Sequence, residues 1–356
     1  MGNINPFRYY KNNKKKLGIL MTIIGLAVFC IVTIMTIVSS IYDTCWAANV
    51  EIFNKITLVN ESSDELQGWI EENREVVHGY DVDVMTTDIS TVFGTTSSYV
   101  FALDDLEELV EKLEIEITDG EIPAKNQSEI LVNEYIARNK KLDIGDHIGE
   151  FTISGIYSGD LLCSLCYKED FETFYGASNS VTLLLPKDGK TITSVNNQLK
   201  SLDDDIEVVS VDKKQKELDE EFQTMKTIMK LIIVLVSVSL AIAVSAFVYT
   251  NYVSRSDEFA IYYAIGYGIR KIVKLIIEET VLVSVISYLV GYIVAAISLQ
   301  IVNVKVYQPL GQCIQIITLE NLIYPVVIPV LVLIFSVVPI VYKLRKTDLL
   351  TIIERR

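Results

Sequence analysis

The hydrophobic positions of this chain are concentrated in four long runs that contain no charged residue. Each run is long enough for a helix to cross the ~30 Å of hydrocarbon in a bilayer. The runs are residues 17–42, 231–252, 280–304 and 321–342. The pattern predicts an α-helical membrane protein with four transmembrane helices, of which the last three lie at about 228–252, 275–301 and 321–342.

Residues 43–225, between the first two runs, show strand and helix patterns instead of a continuous apolar stretch. A strand, a helix and a strand are predicted at 56–59, 62–76 and 80–85, and the same order returns at 181–185, 191–202 and 206–210. Two β-α-β units that flank a middle section indicate a split ferredoxin-like layer with an insertion. We therefore expect an α+β domain between the first and the second transmembrane helix.

A single helix is predicted to lead from this domain into the second transmembrane run. No proline or glycine interrupts residues 191–252, and apolar side chains recur on one helical face at Leu218, Phe222, Met225 and Met229. Such a helix would act either as a stiff rod that carries motion between the membrane and the domain, or as a simple stalk. The sequence leaves both readings open.

The distribution of charge predicts the orientation of the chain in the membrane. The chain is 50% hydrophobic and has a formal net charge of −15. Residues 43–225 contain 39 acidic and 14 basic residues, whereas both tails and the loop between the second and third runs are rich in Lys and Arg. The positive-inside rule then places both termini in the cytoplasm and residues 43–225 outside the cell membrane. An acidic domain of this kind is not expected to bind nucleic acid.

The loop between the second and third runs, residues 254–268, has the pattern of a short helix. Ser254 is a predicted N-cap, and Asp257 and Glu258 would occupy the first turn, where a helix favours negative charge. Gly266 and Gly268 can end the helix. The segment is either an ordinary basic loop between two spans or a cytoplasmic element that docks onto a partner.

Two acidic residues, Glu278 and Glu279, lie immediately before the third run. An acidic side chain at the centre of a span costs about 2.5–3.5 kcal/mol, and less near the interface. Both residues could reach the lipid headgroups. Alternatively, one of them faces the interior of the helix bundle and pairs with a base such as Arg255 or Lys274.

The residues of catalytic and metal sites are mostly absent from the sequence. The two histidines, His78 and His147, are far apart, and Leu184 stands where a phosphate-binding loop ending at Lys190 and Thr191 would need glycine. We therefore expect no catalytic residue, no metal site and no cofactor, and the chain is not expected to be an enzyme. Cys163 and Cys166 form a CxxC pair that is equally compatible with a local disulfide and with two buried free thiols.

Several motifs in a fixed order resemble those of the MacB/FtsX-type ABC transporter permeases. The loop motif consists of Arg255, Glu258, Ala260, Ile261, Ala264, Ile265 and Gly266, and it is followed by Glu279, Ser284 and Gly291 in the third predicted transmembrane helix. The ends of the chain are also similar to the family pattern, through Asn5, Pro6, Phe7 and Arg8 and through Lys343, Arg345, Asp348, Leu349 and Leu350. Residues 120–149 are similar to the MacB-type periplasmic core domain. The chain departs from the family pattern at Tyr267, Gly268, Ile269 and Ser287.

The resemblance implies a layout in five parts. These are a cytoplasmic tail at 1–16, the first transmembrane helix at 17–42, an extracytoplasmic MacB-like core domain with a stalk at 43–225, an FtsX-like permease domain at 226–346 and a cytoplasmic tail at 347–356. It also implies packing between spans through Glu279, Ser284 and Gly291. The residues expected to dock onto an ATPase are Arg255, Glu258, Phe259, Tyr262, Gly266 and Arg270.

The resemblance further implies a function and partners. A permease of this type couples ATP hydrolysis by a separate ATPase subunit to movement of its extracytoplasmic domain, in export or resistance involving peptides, lipids or antimicrobial compounds. The expected partners are an ABC ATPase, a second permease subunit that is either identical or homologous, and membrane lipids. The alternatives are an FtsX-like regulator that activates an extracellular cell-wall hydrolase and a membrane-anchored receptor with no ATPase.

Overall fold

The computed structural model describes residues 8–60, 64–92, 94–159, 161–176, 181–187, 189–199 and 207–346. The motif residues Asn5, Pro6 and Phe7 and Asp348, Leu349 and Leu350 lie outside these ranges. The chain forms two compact units. We call them the helical unit, which consists of Met1–Val38, Met225–Val302 and Ile314–Arg356, and the sheet domain, which consists of Ser39–Thr224 and Asn303–Cys313.

The described residues form helices and strands over most of their length. The helices are α1 (Arg8–Asn12), α2 (Lys14–Asn49), α3 (Asp64–Glu72), α4 (Leu106–Lys112), α5 (Glu134–Lys140), α6 (Lys168–Tyr175), α7 (Ile192–Leu199), α8 (Val211–Val253), α9 (Ser256–Ala264), α10 (Ile269–Val302), α11 (Leu319–Ile323) and α12 (Val327–Lys346). The strands are β1 (Thr57–Val59), β2 (Val77–Thr91), β3 (Gly94–Leu103), β4 (Glu116–Gly120), β5 (Glu129–Asn133), β6 (His147–Ile148), β7 (Phe151–Ser158), β8 (Cys163–Tyr167), β9 (Val181–Pro186) and β10 (Val208–Val209).

Among the described residues, four helical segments are long and apolar enough to cross a membrane. They are Lys14–Asn49, Val211–Val253, Ile269–Leu310 and Leu319–Lys343. The prediction of four transmembrane helices is therefore confirmed. The last segment is interrupted by a 3₁₀ turn at Tyr324–Val326, as expected for a span that contains Pro325. The Tyr288 hydroxyl donates to the Leu322 carbonyl oxygen at 2.6 Å, which provides a hydrogen-bond partner at this break in the helix.

The sheet domain is built on the predicted ferredoxin-like layer. The strand order is β10-β1-β9-β2-β3-β8-β5-β7-β4, with β6 beside β7. The first four strands in this order are those of the two β-α-β units, and they are all antiparallel, as in a split β-α-β fold. The insertion extends the same sheet beyond β2, and two of its strand pairs, β3 with β8 and β5 with β7, are parallel. The α+β domain expected between the first two membrane helices is confirmed.

The strand β2 is longer than the sequence predicts. The pattern indicates a strand at 80–85, whereas β2 runs from Val77 to Thr91. Its second half pairs with β3 in a hairpin, from Val82 opposite Leu103 to Thr91 opposite Gly94. The polar side chains of this half hide the strand from a search for apolar alternation.

The two cysteines of the CxxC pair are separate free thiols. Both lie on the buried strand β8, and Cys163 packs in the core on one side of the sheet, whereas Cys166 packs in the core on the other side. Positions three apart on a strand point to opposite faces, so these side chains diverge. Cys163 and Cys166 are therefore two buried free thiols and do not form a local disulfide.

The stalk helix is unbroken, as the sequence predicts. Helix α8 runs from Val211 to Val253 as one element. Within the sheet domain, Leu218 on this helix is buried, and the Phe222 ring meets the Tyr42 ring edge to face at 5.4 Å. The Tyr42 hydroxyl also donates to Asp219 at 3.1 Å. Packing against the end of α2 therefore holds the start of the stalk.

Candidate functional site

The candidate site is the short helix α9 in the helical unit, together with the parts of α8 and α10 that it contacts. Helix α9 begins at Ser256, with Arg255 as the residue before it. The predicted N-cap at Ser254 is wrong, because the Ser254 hydroxyl donates to the Asn251 carbonyl oxygen at 2.8 Å and so closes the preceding helix. No side-chain cap bond is present at the start of α9.

A glycine ends helix α9. Gly266 has a φ of +98°, which residues with a side chain rarely adopt. The Gly266 N–H donates to the Tyr263 carbonyl oxygen, and the Tyr267 N–H donates to the Tyr262 carbonyl oxygen at 3.0 Å. These two bonds form the Schellman arrangement, in which a glycine reverses the chain at a helix end. The glycine of the loop motif therefore sets where helix α9 stops.

A buried ion pair joins Arg255 to the third membrane helix. The Arg255 guanidinium donates to both carboxylate oxygens of Glu279, from Nη1 at 2.6 Å and from Nη2 at 3.1 Å. The side chains of Arg255 and Glu279 are only 6% and 5% exposed. A bidentate pair of this kind constrains both the distance and the orientation of the two groups. Helix α10 is thereby tied to the residue that precedes α9.

The two acids immediately before the third run have different surroundings. Glu279 is the one that faces the interior and pairs with Arg255. Glu278 is exposed and lies 3.7 Å from the ammonium group of Lys274, one helical turn earlier. The reading in which one acid faces the interior of the helix bundle and pairs with Arg255 is therefore the one that the structure bears out, for Glu279.

Further contacts extend this network along α9. The Arg255 Nε donates to Glu258 at 3.0 Å, and the second oxygen of Glu258 accepts from the Tyr262 hydroxyl at 2.9 Å. The guanidinium also lies over the ring of Phe259, 4.8 Å from its centroid, and that ring stacks on Tyr252 of α8. Because Phe259 is fully buried, this face of α9 is fixed against the bundle.

The structure divides the six predicted docking residues by their exposure. Arg255 and Phe259 are buried, Glu258 and Tyr262 are partly buried, and Gly266 and Arg270 are exposed. The first two therefore lie inside the bundle and hold α9 in place.

The exposed face of α9 is apolar, and sequence reasoning did not select it. Ile261 and Ile265 lie one turn apart with 55% and 61% of their surface exposed. Asp257, one turn before Ile261, and Ala264, between the two isoleucines, are also exposed. The spacing of Asp257, Ile261 and Ile265 at i, i+4 and i+8 was visible in the sequence as one helical face. We call these four residues the α9 surface.

The predicted packing residues of the third membrane helix are all buried: Glu279, Ser284 and Gly291. At Gly291, helices α10 and α2 touch through their backbones, because an added Cβ would overlap the Gly25 carbonyl oxygen and lie 3.0 Å from the Gly25 Cα. Small residues permit such close approach between membrane helices. Ser287, which departs from the family pattern, is buried at the same contact.

Within the described ranges, no group of three or more His, Cys, Asp and Glu side chains is arranged to hold a metal ion. Burial raises the pKa of the Cys163 and Cys166 thiols to about 12, so both are protonated at neutral pH and poor nucleophiles.

The fold and the site together define a membrane protein with four spans, a sheet domain after the first span and a short helix tied to the third. Residues 228–349 match the family described as FtsX-like permease C-terminal. This match confirms, for residues 228–349, the resemblance to an FtsX-like permease that is seen in the sequence. A comparison with curated proteins found no match.

Two solved structures are similar to the chain. One is the periplasmic region of MacB from Actinobacillus actinomycetemcomitans, with 10% identity and a TM-score of 0.30, over 49% of this chain and 95% of that one. The other is the extracellular domain of the noncanonic ABC-type transporter YknZ from Gram-positive bacteria, with 13% identity and a TM-score of 0.29, over 44% of this chain and 100% of that one.

Proposed function

We propose that this chain is the permease subunit of an ABC transporter whose α9 surface docks onto a separate ATPase subunit. ATP-driven closure of the ATPase would tilt the membrane helices and change the conformation of the sheet domain outside the membrane. Two permease subunits, identical or homologous, would pair around this movement. The observation that carries the proposal is the rigid attachment of α9: its inner face is held by Arg255 and Phe259, while its outer face exposes Ile261 and Ile265.

The attachment supports a mechanical role because the two bonds between Arg255 and Glu279 constrain α9 relative to α10. A bidentate, buried ion pair holds its two groups in one geometry, whereas a solvated side chain is free to change its conformation. A partner that moves α9 therefore also moves α10, through Glu279. An exposed pair of isoleucines next to a charge is the composition of a small docking surface, with an apolar centre and a polar rim.

The orientation is part of the proposal and rests on the distribution of Lys and Arg. It places α9 and both termini in the cytoplasm and the sheet domain outside. The substrate would then be a peptide, lipid or antimicrobial compound that the movement of the sheet domain exports or removes. An impermeant maleimide should label Cys313, which is exposed in the sheet domain, in intact cells. In a Cys313→Ser background, it should label an Ile265→Cys variant only after the cells are permeabilised.

The docking experiment uses the tagged full-length chain, purified in mild detergent from its native membranes. In the Ile261→Asp/Ile265→Asp double variant, we expect loss of the copurified ATPase with normal membrane insertion and normal helix content. The matched control is Ile144→Asp, which changes an exposed isoleucine of the sheet domain and should leave copurification intact. Copurification that survives the double substitution would count against α9 as the docking element.

A photo-crosslinking amino acid at position 265 tests the same contact directly. We expect a crosslinked product that mass spectrometry identifies as an ABC ATPase. A product with lipid alone would mean that the α9 surface lies in the membrane interface, and the docking proposal would then be wrong.

A further inference from the structure

The connection between the third and fourth membrane helices is part of the sheet domain. Helix α10 continues past Val302 as a π-helical turn, Asn303–Tyr307, and a 3₁₀ turn, Gln308–Leu310. Residues Asn303–Cys313 group with the sheet domain and not with the helical unit. We call Asn303–Cys313 the clamp segment. The sequence shows only a short loop here, and nothing in it indicates where the loop packs.

A single side chain, Asn139 on α5, bonds the clamp segment to the sheet. The Asn139 Oδ1 accepts from the Ser90 N–H at 2.8 Å, and its Nδ2 donates to the Ser90 carbonyl oxygen at 2.7 Å and to the Leu310 carbonyl oxygen at 2.8 Å. Both amide hydrogens are therefore used, and Asn139 is only 9% exposed. The amide thus bridges the tip of the β2–β3 hairpin and the end of the clamp segment.

Two neighbouring contacts fix the same geometry. The Gln312 Nε2 donates to the Ser90 carbonyl oxygen at 2.6 Å, so this oxygen accepts bonds from both sides of the bridge. Gly311 has a φ of +68°, and a Cβ added there would lie 2.5 Å from the Tyr135 carbonyl oxygen. Tyr135 and Asn139 are four residues apart on α5, so one face of this short helix receives the clamp segment.

The clamp segment is also held at its beginning. Tyr307 is 2% exposed, and its hydroxyl oxygen lies 2.9 Å from the hydroxyl oxygen of Ser40 on α2. The helical segment Ile269–Leu310 therefore carries a buried ion pair to Arg255 near one end, at Glu279, and a buried amide bridge at the other, at Leu310.

We propose that Asn139 is a positioning residue that couples displacement of this helical segment to the β2–β3 hairpin. This inference rests on the proposed function, in which a partner moves α9 and thereby α10. The hairpin strands β2 and β3 are neighbours at the junction of the ferredoxin-like layer and the insertion. A force applied at Ser90 therefore acts on β2 and β3, which lie in the middle of the strand order, and not on an edge strand.

The test uses the full-length chain together with its copurified ATPase in lipid nanodiscs. Hydrogen exchange of residues 82–103 and 303–313 is compared without nucleotide and with ATP plus vanadate. In the wild type, we expect the nucleotide to change exchange in the hairpin. In Asn139→Ala, we expect roughly tenfold faster exchange in residues 303–313 without nucleotide, because a buried bridge is lost. The nucleotide-dependent change in the hairpin should disappear, while ATPase copurification stays normal.

Two further variants separate coupling from a loss of folding. Gln312→Ala removes one of the two bonds to the Ser90 carbonyl oxygen and leaves Asn139 in place, so a smaller loss of the hairpin response is expected. Arg138→Ala is the matched control, because this neighbour on α5 is exposed and pairs only locally with Glu134 at 3.1 Å among its described ion pairs. It should behave as the wild type.

The outcomes distinguish the two proposals. If the wild type copurifies no ATPase or shows no response to nucleotide, the proposed function fails and this inference fails with it. If the wild type responds and Asn139→Ala responds equally, the proposed function stands and the coupling role of Asn139 is overturned. A response that is lost in Arg138→Ala as well would also contradict a specific role for Asn139.

Discussion

Removal of either partner of the Arg255–Glu279 pair should destabilise the helical unit, and by unequal amounts. Arg255→Met removes both bonds to Glu279 and leaves a carboxylate that is 5% exposed with no cation beside it among its described contacts. Glu279→Gln leaves Arg255 with a second partner, because its Nε still donates to Glu258 at 3.0 Å. We therefore expect Arg255→Met to be the more damaging change.

The magnitudes follow from what each change leaves buried. Breaking a buried pair by removal of one partner costs about 3–5 kcal/mol, which we expect for Arg255→Met. Glu279→Gln keeps a hydrogen-bond acceptor and should cost about 1–3 kcal/mol. The double variant Arg255→Met/Glu279→Leu removes both charges together, and replacement of a buried pair by apolar residues is often close to neutral. Its cost should therefore be well below that of Arg255→Met alone.

The assay is thermal unfolding of the purified chain in one fixed detergent, followed by circular dichroism at 222 nm. Tryptophan fluorescence would report on the wrong part of the molecule, because Trp46 and Trp69 both belong to the sheet domain. At ~2–4 °C per kcal/mol, Arg255→Met should lower the midpoint by on the order of 10 °C. Arg270→Met is the control, since Arg270 is exposed and its loss should change stability by about 0.5 kcal/mol or less.

The decisive result is the interaction energy between the two sites. If Arg255 and Glu279 form the contact described here, the effects of the single substitutions will not add. A double variant that unfolds at the temperature expected from the sum of both single variants would refute the ion pair as a structural tie.

Two further sites give sharp expectations. Gly291→Ala should lower the stability of the helical unit by about 1–3 kcal/mol, because the added Cβ would press against the Gly25 backbone. Gly18 has no neighbour within 4 Å of an added Cβ, so Gly18→Ala should raise the stability slightly through better helix propensity. The melting temperatures of the two variants should therefore shift in opposite directions. Cys163 and Cys166 should resist iodoacetamide at pH 8 in the folded protein and react fully in urea, and labelling of the folded protein at that pH would contradict their burial. The pKa of both thiols rises from 9.0 to about 12 on folding. Their contribution to the stability of the sheet domain should therefore be fully present below pH 9 and be lost as the pH rises towards 12, which denaturant titrations at a series of pH values would measure.

The sequence correctly predicted α9 as a helix but not which of its faces is exposed. Arg255 and Phe259 were expected to dock onto an ATPase because the family resemblance implies it, yet both are buried. Burial of Arg255 depends on Glu279, which lies 24 residues away, and the helical pattern of α9 alone contains no information on that distance. From the sequence, Ile261 and Ile265 would be taken for core residues. The structure shows that the opposite face of α9, with Phe259, is the buried one.

The CxxC pair shows the same limit in the sheet domain. A spacing of three residues is compatible with a disulfide on a helix or a turn, and only the strand assignment of β8 makes the side chains diverge. The strand assignment in turn depends on pairing with β3 and β5, which are distant in the chain.

By itself, the sequence determined the four membrane helices, the unbroken stalk helix and the ferredoxin-like layer, because each follows from a local period of hydrophobic positions or from the absence of proline and glycine. The tertiary structure alone decided which face of α9 is free, which acid pairs with Arg255, and that the clamp segment belongs to the sheet domain through Asn139. These features depend on contacts between residues that are far apart in the chain. A local hydrophobic pattern specifies which residues are apolar, but only packing specifies which neighbours they meet.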